Sequence, residues 1–306
     1  MASFVGLRLL QTIPMLWGVA TAVFLMLHVL PGDPVAFMLS ESAASPALVA
    51  QLRAQLGLDQ PLHIQYLTYL GNVLRGDFGT SIYYNRAVTQ LVFEQLGATL
   101  QLAAAAMTLA IIIGFGLGSL AAAKHNSWID RLCMLVATLG ISMPSFWLSL
   151  LFIFLFSVAL GWLPATGSQG VERLVMPALV LALGSAAAIA RLVRSSLLEE
   201  LRNEYVRTAY AKGLSAGAVL YKHALRNAMI PVVTVIGLQF GFLLGGTVIT
   251  ETIFARQGLG RLAIQAVLGK DLPVVEGTVI LSALVYVLVN LMVDVTYGIL
   301  DPRIKR

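Results

Sequence analysis

The sequence predicts an all-α integral membrane protein with six transmembrane helices. Of its 306 residues, 58% are hydrophobic and 11% are charged, whereas a soluble domain is about 45–50% apolar and about 25% charged. The mean hydropathy of +0.84 agrees with this comparison. Several charge-free windows are long enough to cross a bilayer, which requires about 20 helical residues. These observations exclude a soluble enzyme, a disordered protein and a fibrous protein.

Six charge-free windows locate the predicted spans. The first is longer than the apolar core of a signal peptide, which has about 7–15 residues, so we expect a retained membrane anchor. The third is too long for one helix, and Gly161–Gly167 ends its helix near Leu160, because Gly and Pro interrupt the helical pattern. The windows cover residues 9–32, 95–123, 132–171, 174–190, 227–250 and 277–293.

The basic residues predict the orientation of these spans. With the N-terminus inside, thirteen Lys and Arg residues face the cytoplasm and seven face the outside, where they are spread over longer segments. Cytoplasmic loops carry an excess of Lys and Arg, so we expect both termini in the cytoplasm. The basic residues form no single face that would bind nucleic acid.

The spans divide the chain into three parts. Residues 1–30 form the N-terminal tail and the first transmembrane helix, residues 31–94 form an extracytoplasmic helical segment, and residues 95–306 form a core with five transmembrane helices. Within 31–94 we predict three helices. Two of them begin with Pro, which is tolerated at the first helical position. The predicted helices are Pro46–Leu56, Pro61–Leu74 and Ala87–Leu96.

The cytoplasmic segment 197–226 has the clearest pattern in the sequence. Leu197, Leu201, Tyr205 and Ala209 recur every four residues, which predicts an amphipathic helix. Gly213 interrupts the pattern, and helical spacing resumes before the next span. Because a thirty-residue ordered loop is unusual unless it is functional, we interpret the segment as a helix–turn–helix elbow. The alternative is a solvated connecting loop.

Several motifs occur in the order typical of one family. The most specific are Glu204-Tyr-Val-Arg-Thr-Ala-Tyr-Ala-Lys-Gly-Leu214 and His223-Ala-Leu-Arg-Asn-Ala-Met-Ile-Pro-Val-Val233. The others are Leu30-Pro-Gly-Asp-Pro34, Leu56-Gly-Leu-Asp-Gln-Pro61, Gly76-Asp-Phe-Gly79, Ser142-Met-Pro144, Glu251-Thr-Ile-Phe254, Gly258-Leu-Gly-Arg261 and Asp301-Pro-Arg303. Over nearly its whole length the chain resembles binding-protein-dependent ABC importer permeases, most closely those for dipeptides, oligopeptides, glutathione and nickel.

This resemblance implies a type I ABC importer (MetI-like) permease fold and a place in the bacterial inner membrane. It also implies three kinds of partner besides the lipid bilayer: a second homologous permease, two cytoplasmic ATPase subunits and an extracytoplasmic substrate-binding protein. ATP and Mg²⁺ would be bound by the ATPases, and we expect no cofactor, metal site or catalytic residue in this chain. The sequence contains no G-x-x-x-x-G-K-[ST] phosphate loop.

By the same resemblance, the elbow would dock into a groove on an ATPase subunit. Where the general family signature begins with Glu-Ala-Ala, this sequence has Arg207-Thr208-Ala209. The residues expected to couple the elbow to the ATPase are Arg207, Thr208, Ala209, Lys212, Gly213 and Leu214.

Several residues of the fifth span suggest how the spans pack and what they face. Gly237, Gly241 and Gly245 form a face of small residues that lets helices approach closely. This face would lie either at the seam between the two permease chains or between helices of one chain. Gln239 would line a pore, because an unsatisfied amide in lipid is unfavourable. Glu251 would lie either at the mouth of the pore or in the headgroup region.

Two other functional classes are disfavoured. An intramembrane enzyme would require a catalytic constellation, but the four His residues are scattered and no G-x-S-x-G or His-Glu-x-x-His is present. A stand-alone secondary transporter would usually place charges deep in its spans, and these spans are nearly free of them. For the substrate, peptides are preferred over nickel or a nickel chelate and over glutathione, and the sequence does not decide among them.

Overall fold

A computed structural model describes residues 2–29 and 59–300, and its regular elements there are all helices. The helices α1 to α6 are Ala2–Val29, Leu62–Arg75, Val88–Ala123, Trp128–Ser142, Ser145–Phe152 and Glu172–Glu200. A π-helical stretch, Ile153–Ala159, extends α5. The helices α7 to α10 are Glu204–Ala211, Leu225–Ile253, Leu259–Leu268 and Leu272–Leu300.

The transmembrane helices agree with the predicted spans. Among the described residues, four helical segments are each long and apolar enough to cross a membrane. They are α3, α6, the continuous helical run Ala216–Ile253 that contains α8, and α10 from Leu272 to Val293. The bent pair α4–α5 provides a fifth crossing, and α1 is apolar from Leu10 to Met26. The described residues therefore accommodate the six predicted spans.

The third predicted span is not a single helix. The axes of α4 and α5 meet at 105°, with the break at Met143 and Pro144. Proline has no backbone N–H and disfavours the helical conformation of the residue before it. Met143 is accordingly extended, with φ −90° and ψ 127°. The span from Leu132 to near Leu160 was predicted as one helix, with no weight given to this proline. Its predicted end near Leu160 agrees with the end of the helical stretch at Ala159.

The main core lies between α3 and α6. Small residues allow their backbones to approach closely: a Cβ atom added to Gly114 would lie 2.8 Å from the carbonyl oxygen of Ala186, and one added to Gly118 would lie 2.5 Å from that of Ala190. Buried apolar side chains from both helices fill the space between them, and α8 closes the cluster. They include Leu102, Ala106, Ala110, Ala182, Ile189 and Leu243.

The segment 31–94, predicted to be extracytoplasmic, is described from residue 59 onwards, so the predicted helix Pro46–Leu56 lies outside the described residues. The predicted helix Pro61–Leu74 is observed as α2, which follows Pro61 and ends at Gly76 with φ 71°. The predicted helix Ala87–Leu96 is the first part of α3 and continues into the membrane without a break. The division of the chain at residue 94 therefore does not coincide with the end of a helix.

The helix α2 is attached to α1 by aromatic side chains. The Tyr66 and Thr21 hydroxyl oxygens are 2.6 Å apart, and the Tyr69 hydroxyl donates to the Ala20 carbonyl at 3.1 Å. Phe24 of α1 packs against the rings of both tyrosines. Burial and the nearby Glu276 carboxylate raise the pKa of Tyr69, so this hydroxyl remains a hydrogen-bond donor.

Candidate functional sites: an elbow around Gly213 and a central cavity

The elbow forms where the sequence predicts it, around Gly213. The helix α7 ends at Ala211, and Gly213 adopts φ 79°, a left-handed conformation that glycine enters without steric strain. The Gly213 N–H donates to the Tyr210 carbonyl at 2.9 Å, and Leu214 N–H donates to Ala209 at 3.3 Å. These bonds close the helix end and reverse the chain towards the next span.

The packing of the elbow differs from the predicted stripe. A turn at residues 201–203 separates α6 from α7, so the four-residue repeat does not run through one continuous helix. Val206, Ala209 and Val219 form the small core of the elbow. Tyr205 lies outside this core and is 38% exposed. The prediction that Tyr205 belongs to the apolar stripe was wrong, because the turn changes the register and brings Val206 inward.

Tyr205 instead connects the elbow to both neighbouring helices. Its hydroxyl donates to the Glu200 carboxylate at 2.5 Å and accepts a bond of 3.3 Å from the Asn227 amide. Burial, followed by the bond to Glu200, raises the pKa of Tyr205 and keeps this donor protonated. The base of the elbow is thereby hydrogen-bonded to the end of α6 and the start of α8.

The six predicted coupling residues do not share one environment. Ala209 is buried inside the elbow and supports it from within. The other five lie at the surface, and among them the Arg207 guanidinium pairs with Glu204 at 3.0 Å. The sequence reasoning missed Tyr210, which is 47% exposed beside Leu214 at 38%. The exposed five are Arg207, Thr208, Lys212, Gly213 and Leu214.

An ion pair between the start of α4 and the last turns of α6 was also missed. The Arg194 guanidinium donates to both oxygens of Asp130, at 2.6 and 2.7 Å. The His125 ring nitrogen lies 3.4 Å from the same carboxylate. Asp130 is buried, so this bidentate pair joins the start of α4 to the helix that leads into the elbow. The partners are 64 residues apart in sequence, and no local spacing indicates the pair.

A cavity of about 1140 Å³ lies among the membrane helices. Its walls come from α3, the α4–α5 break, α6, α8, α9 and α10. Gln239 is half-buried on this wall, and the Ser185 hydroxyl donates to its amide oxygen at 3.4 Å. The polar side chains on the wall are Thr99, Ser145, Ser185, Gln239, Thr247, Thr278, Ser282 and Tyr286.

The three glycines of α8 have different neighbours. A Cβ added to Gly237 would collide with the Val293 side chain, and one added to Gly241 would lie 2.6 Å from the Tyr286 ring. Both glycines therefore allow close packing against α10 within this chain. Gly245 has no described neighbour within 4 Å of such an atom and lines the cavity. Of the two interpretations left open by the sequence, packing within one chain applies to Gly237 and Gly241.

Glu251 does not line the cavity and is not in contact with solvent. Its side chain is fully buried and accepts bonds from the Thr99 hydroxyl at 2.7 Å, Gly260 N–H at 2.8 Å and Arg261 N–H at 3.2 Å. A Cβ on Gly258 would collide with this carboxylate. Glu251 therefore joins α3 and α8 to the beginning of α9. Both predicted positions were wrong, because the carboxylate is buried inside the protein, where these three donors take the place of water.

Arg256 extends this buried polar cluster to the loop before α6. Its guanidinium donates to the Gln101 amide oxygen at 2.9 Å and to the Ser168 carbonyl at 3.4 Å. Gln257 N–H donates to the Ser168 hydroxyl at 2.6 Å, and Gly167 N–H donates to the Phe254 carbonyl at 3.0 Å. Burial lowers the pKa of Arg256 and Glu251 raises it. The loop is therefore fixed to the α8–α9 connection.

These elements define a class of protein: a multi-pass membrane protein whose described elements are helices, with a cavity among its membrane helices. Within the described residues, no three His, Cys, Asp or Glu side chains form a group that could hold a metal ion. Residues 114–306 match the sequence model described as "Binding-protein-dependent transport system inner membrane component", and residues 1–103 match the corresponding N-terminal model. The chain belongs to this family, and the resemblance found in the sequence is confirmed.

Curated relatives match the chain over its whole length. It is 46% identical over 305 residues to the glutathione transport system permease protein GsiC of Salmonella typhimurium, covering 100% of this chain and 99% of the relative. The GsiC protein of Escherichia coli strain K12 is 45% identical with the same coverage. The dipeptide transport system permease protein DppB of Alkalihalophilus pseudofirmus is 41% identical over 333 residues, covering 100% of both chains.

Solved structures support the fold. An inward-facing structure of the MetNI methionine ABC transporter covers 69% of this chain and 97% of its own, with a TM-score of 0.61 and 20% identity. At this identity the similarity concerns the fold alone. It confirms the predicted MetI-like permease architecture.

Proposed function

We propose that this permease of a binding-protein-dependent ABC importer forms half of a translocation pathway for short peptides. The observation that carries the proposal is the end-to-end similarity to permeases named for glutathione and for dipeptides. Glutathione is itself a tripeptide, so the two names share one chemical class. Di- and oligopeptides are the first choice and glutathione is the second. Nickel or a nickel chelate is a more distant alternative, known only from the wider family.

The proposed complex contains a second homologous permease, two cytoplasmic ATPase subunits that bind ATP and Mg²⁺, and an extracytoplasmic substrate-binding protein. The exposed face of the elbow supports ATPase docking, because Tyr210 and Leu214 offer apolar contact area beside the charges of Arg207 and Lys212. Closure of the ATPases would push on α7. The Tyr205 hydrogen bonds to Glu200 and Asn227 would pass this movement to α6 and α8.

The proposed orientation places both termini and the elbow in the cytoplasm of a bacterial cell. The excess of Lys and Arg on that side supports it. The helix α2 and the loop 161–171 would then lie at the outer face, where the binding protein releases its cargo.

Uptake by cells with and without this gene tests the function. The gene is deleted in the source bacterium and restored on a plasmid, and the uptake of radiolabelled dialanine, glutathione and Ni²⁺ is measured. We expect deletion to abolish dialanine uptake and restoration to recover it. Loss of Ni²⁺ uptake alone would contradict the peptide assignment. Continued uptake after replacement of the Walker lysine in the partner ATPase would contradict ATP-driven import.

A further inference from the structure

The wall of the central cavity contains polar groups but no charged side chain among the residues that the structure describes around it. A fixed charge in a site of low dielectric constant attracts ions of one sign and repels the other, and its effect is larger than in water. An uncharged wall has no such preference. The net charge of a passing molecule would therefore have little influence on its passage.

All three threonines on this wall already donate their hydroxyl hydrogens to the protein. Thr99 donates to Glu251, Thr247 donates to the Leu244 carbonyl, and Thr278 donates to the carbonyls of its own helix. Their hydroxyl groups therefore offer no free donor to the cavity. The polar groups that remain are a few hydroxyls and one side-chain amide.

That amide belongs to Gln239, in the middle of α8. The Ser185 hydroxyl of α6 donates to its oxygen at 3.4 Å, and its NH₂ group donates to no atom of the described chain. A carboxamide carries a donor and an acceptor side by side, as a peptide group does, so the two can form a pair of reciprocal hydrogen bonds. Each such bond replaces one to water and contributes little net free energy, which suits a contact that must form and break during transport.

We propose that Gln239, oriented by Ser185, is the hydrogen-bonding contact for the backbone amide of a peptide in transit, and that the uncharged cavity passes short peptides whatever their net charge. This inference rests on the proposed peptide function. The cavity of about 1140 Å³ is large enough for a short peptide, since sites for small molecules usually have volumes of about 300–1,000 Å³. A bare divalent cation finds no carboxylate or imidazole on this wall to replace its water.

The test measures the maximal uptake rate of three dipeptides that differ in charge: dialanine, Ala-Glu and Ala-Lys. The complete importer is used, with enough peptide to saturate the binding protein. For the unmodified chain we expect the three maximal rates to agree within about threefold. Gln239→Glu should lower the rate of Ala-Glu relative to Ala-Lys by about tenfold, because the added charge lies in a poorly solvated wall. Gln239→Lys should shift the ratio in the opposite direction.

Gln265→Glu is the matched control, since it introduces the same charge on the exposed surface of α9, away from the cavity wall. It should leave the ratio unchanged. Gln239→Leu should lower all three maximal rates by a similar factor of about 2–10 and leave the half-saturating concentration, which the binding protein sets, unchanged. This uncharged variant also provides a readout if a charged variant does not reach the membrane.

The outcomes separate this inference from the proposed function. If the unmodified importer takes up none of the dipeptides, the peptide function is wrong. If it takes them up but the Gln239→Glu ratio equals that of Gln265→Glu, the cavity contact is wrong. Unmodified rates that differ by much more than threefold at saturation, or unchanged rates for Gln239→Leu, would also overturn the inference.

Discussion

Glu251 is the residue whose environment departs most from what its position in the sequence suggests. It lies at the end of an apolar span, shortly before Arg256 and Gln257, as a surface charge would. In the folded chain its carboxylate is fully buried and accepts three hydrogen bonds from two other segments. One charged side chain thus determines where α9 begins relative to α3.

Replacing Glu251 by Gln should destabilise the chain. The amide is neutral and has one acceptor oxygen in place of two. The Gly260 and Arg261 N–H groups share one carboxylate oxygen and the Thr99 hydroxyl uses the other, so one of these two acceptor positions is lost and all three donors lose a charged partner. Hydrogen bonds to charged groups contribute about 1.5–3 kcal/mol, and we expect the free energy of unfolding to fall by about that amount. Urea unfolding of the purified chain in detergent micelles, followed by tryptophan fluorescence, measures the change.

Glu94→Gln is the control for this substitution. Glu94 pairs with Arg86 at the surface, and both side chains are 43% exposed. Because exposed ion pairs contribute about 0–1 kcal/mol, the control should change the free energy of unfolding by less than about 1 kcal/mol. Equal losses for the two variants would show that the buried hydrogen bonds of Glu251 contribute no more to the free energy of unfolding than the exposed ion pair of Glu94.

At the scale of single elements, the spans were predictable and their interruptions were less so. Charge-free windows locate a membrane helix because lipid excludes charge along the whole segment. The break at Pro144 depends on one residue inside such a window, and the contacts of Glu251 with Thr99 join residues 152 positions apart. Residues close in sequence explain the turn at Gly213, whereas the wall around Gln239 comes from six separate segments.

The turn of the elbow at Gly213 should be needed to couple ATP hydrolysis to uptake. Gly213→Val places a β-branched side chain at φ 79°, which costs roughly 1–2 kcal/mol per residue and changes the direction of the turn. In proteoliposomes with the complete importer, ATP hydrolysis should continue while the peptide taken up per ATP falls severalfold. The amount of the chain in the membrane fraction should stay unchanged.

Gly217→Val is the matched variant, because Gly217 lies in the same segment without a left-handed conformation and with open space around its Cα atom. It should keep uptake and hydrolysis coupled. If both variants transport normally, the elbow does not transmit force. If both lose insertion into the membrane, the segment is needed for folding instead.

At the scale of the whole molecule, the helix faces that remain open indicate where a second permease would pack. Gly237→Val should destabilise the isolated chain by about 1–3 kcal/mol, because the new side chain overlaps Val293 of α10. Gly245→Val meets no described neighbour and should leave the free energy of unfolding within about 0.5 kcal/mol of the unmodified chain. Urea unfolding measures both variants.

Co-purification with the second permease completes this comparison. If Gly245 lies at the seam between the two chains, Gly245→Val should reduce the amount of partner recovered from the membrane. Unchanged recovery would place Gly245 away from the seam. A loss of stability in the isolated chain equal to that of Gly237→Val would show that Gly245 also packs within one chain.

The length of α3 has a consequence for how the two faces of the membrane communicate. Its 36 residues extend about 54 Å at 1.5 Å per residue, whereas the hydrocarbon core is about 30 Å thick. The same unbroken helix carries Thr99, which is bonded to Glu251, in its first half, and packs along α6, which leads to the elbow. A tilt of this one stiff helix would therefore move the Glu251 cluster and the helix before the elbow together.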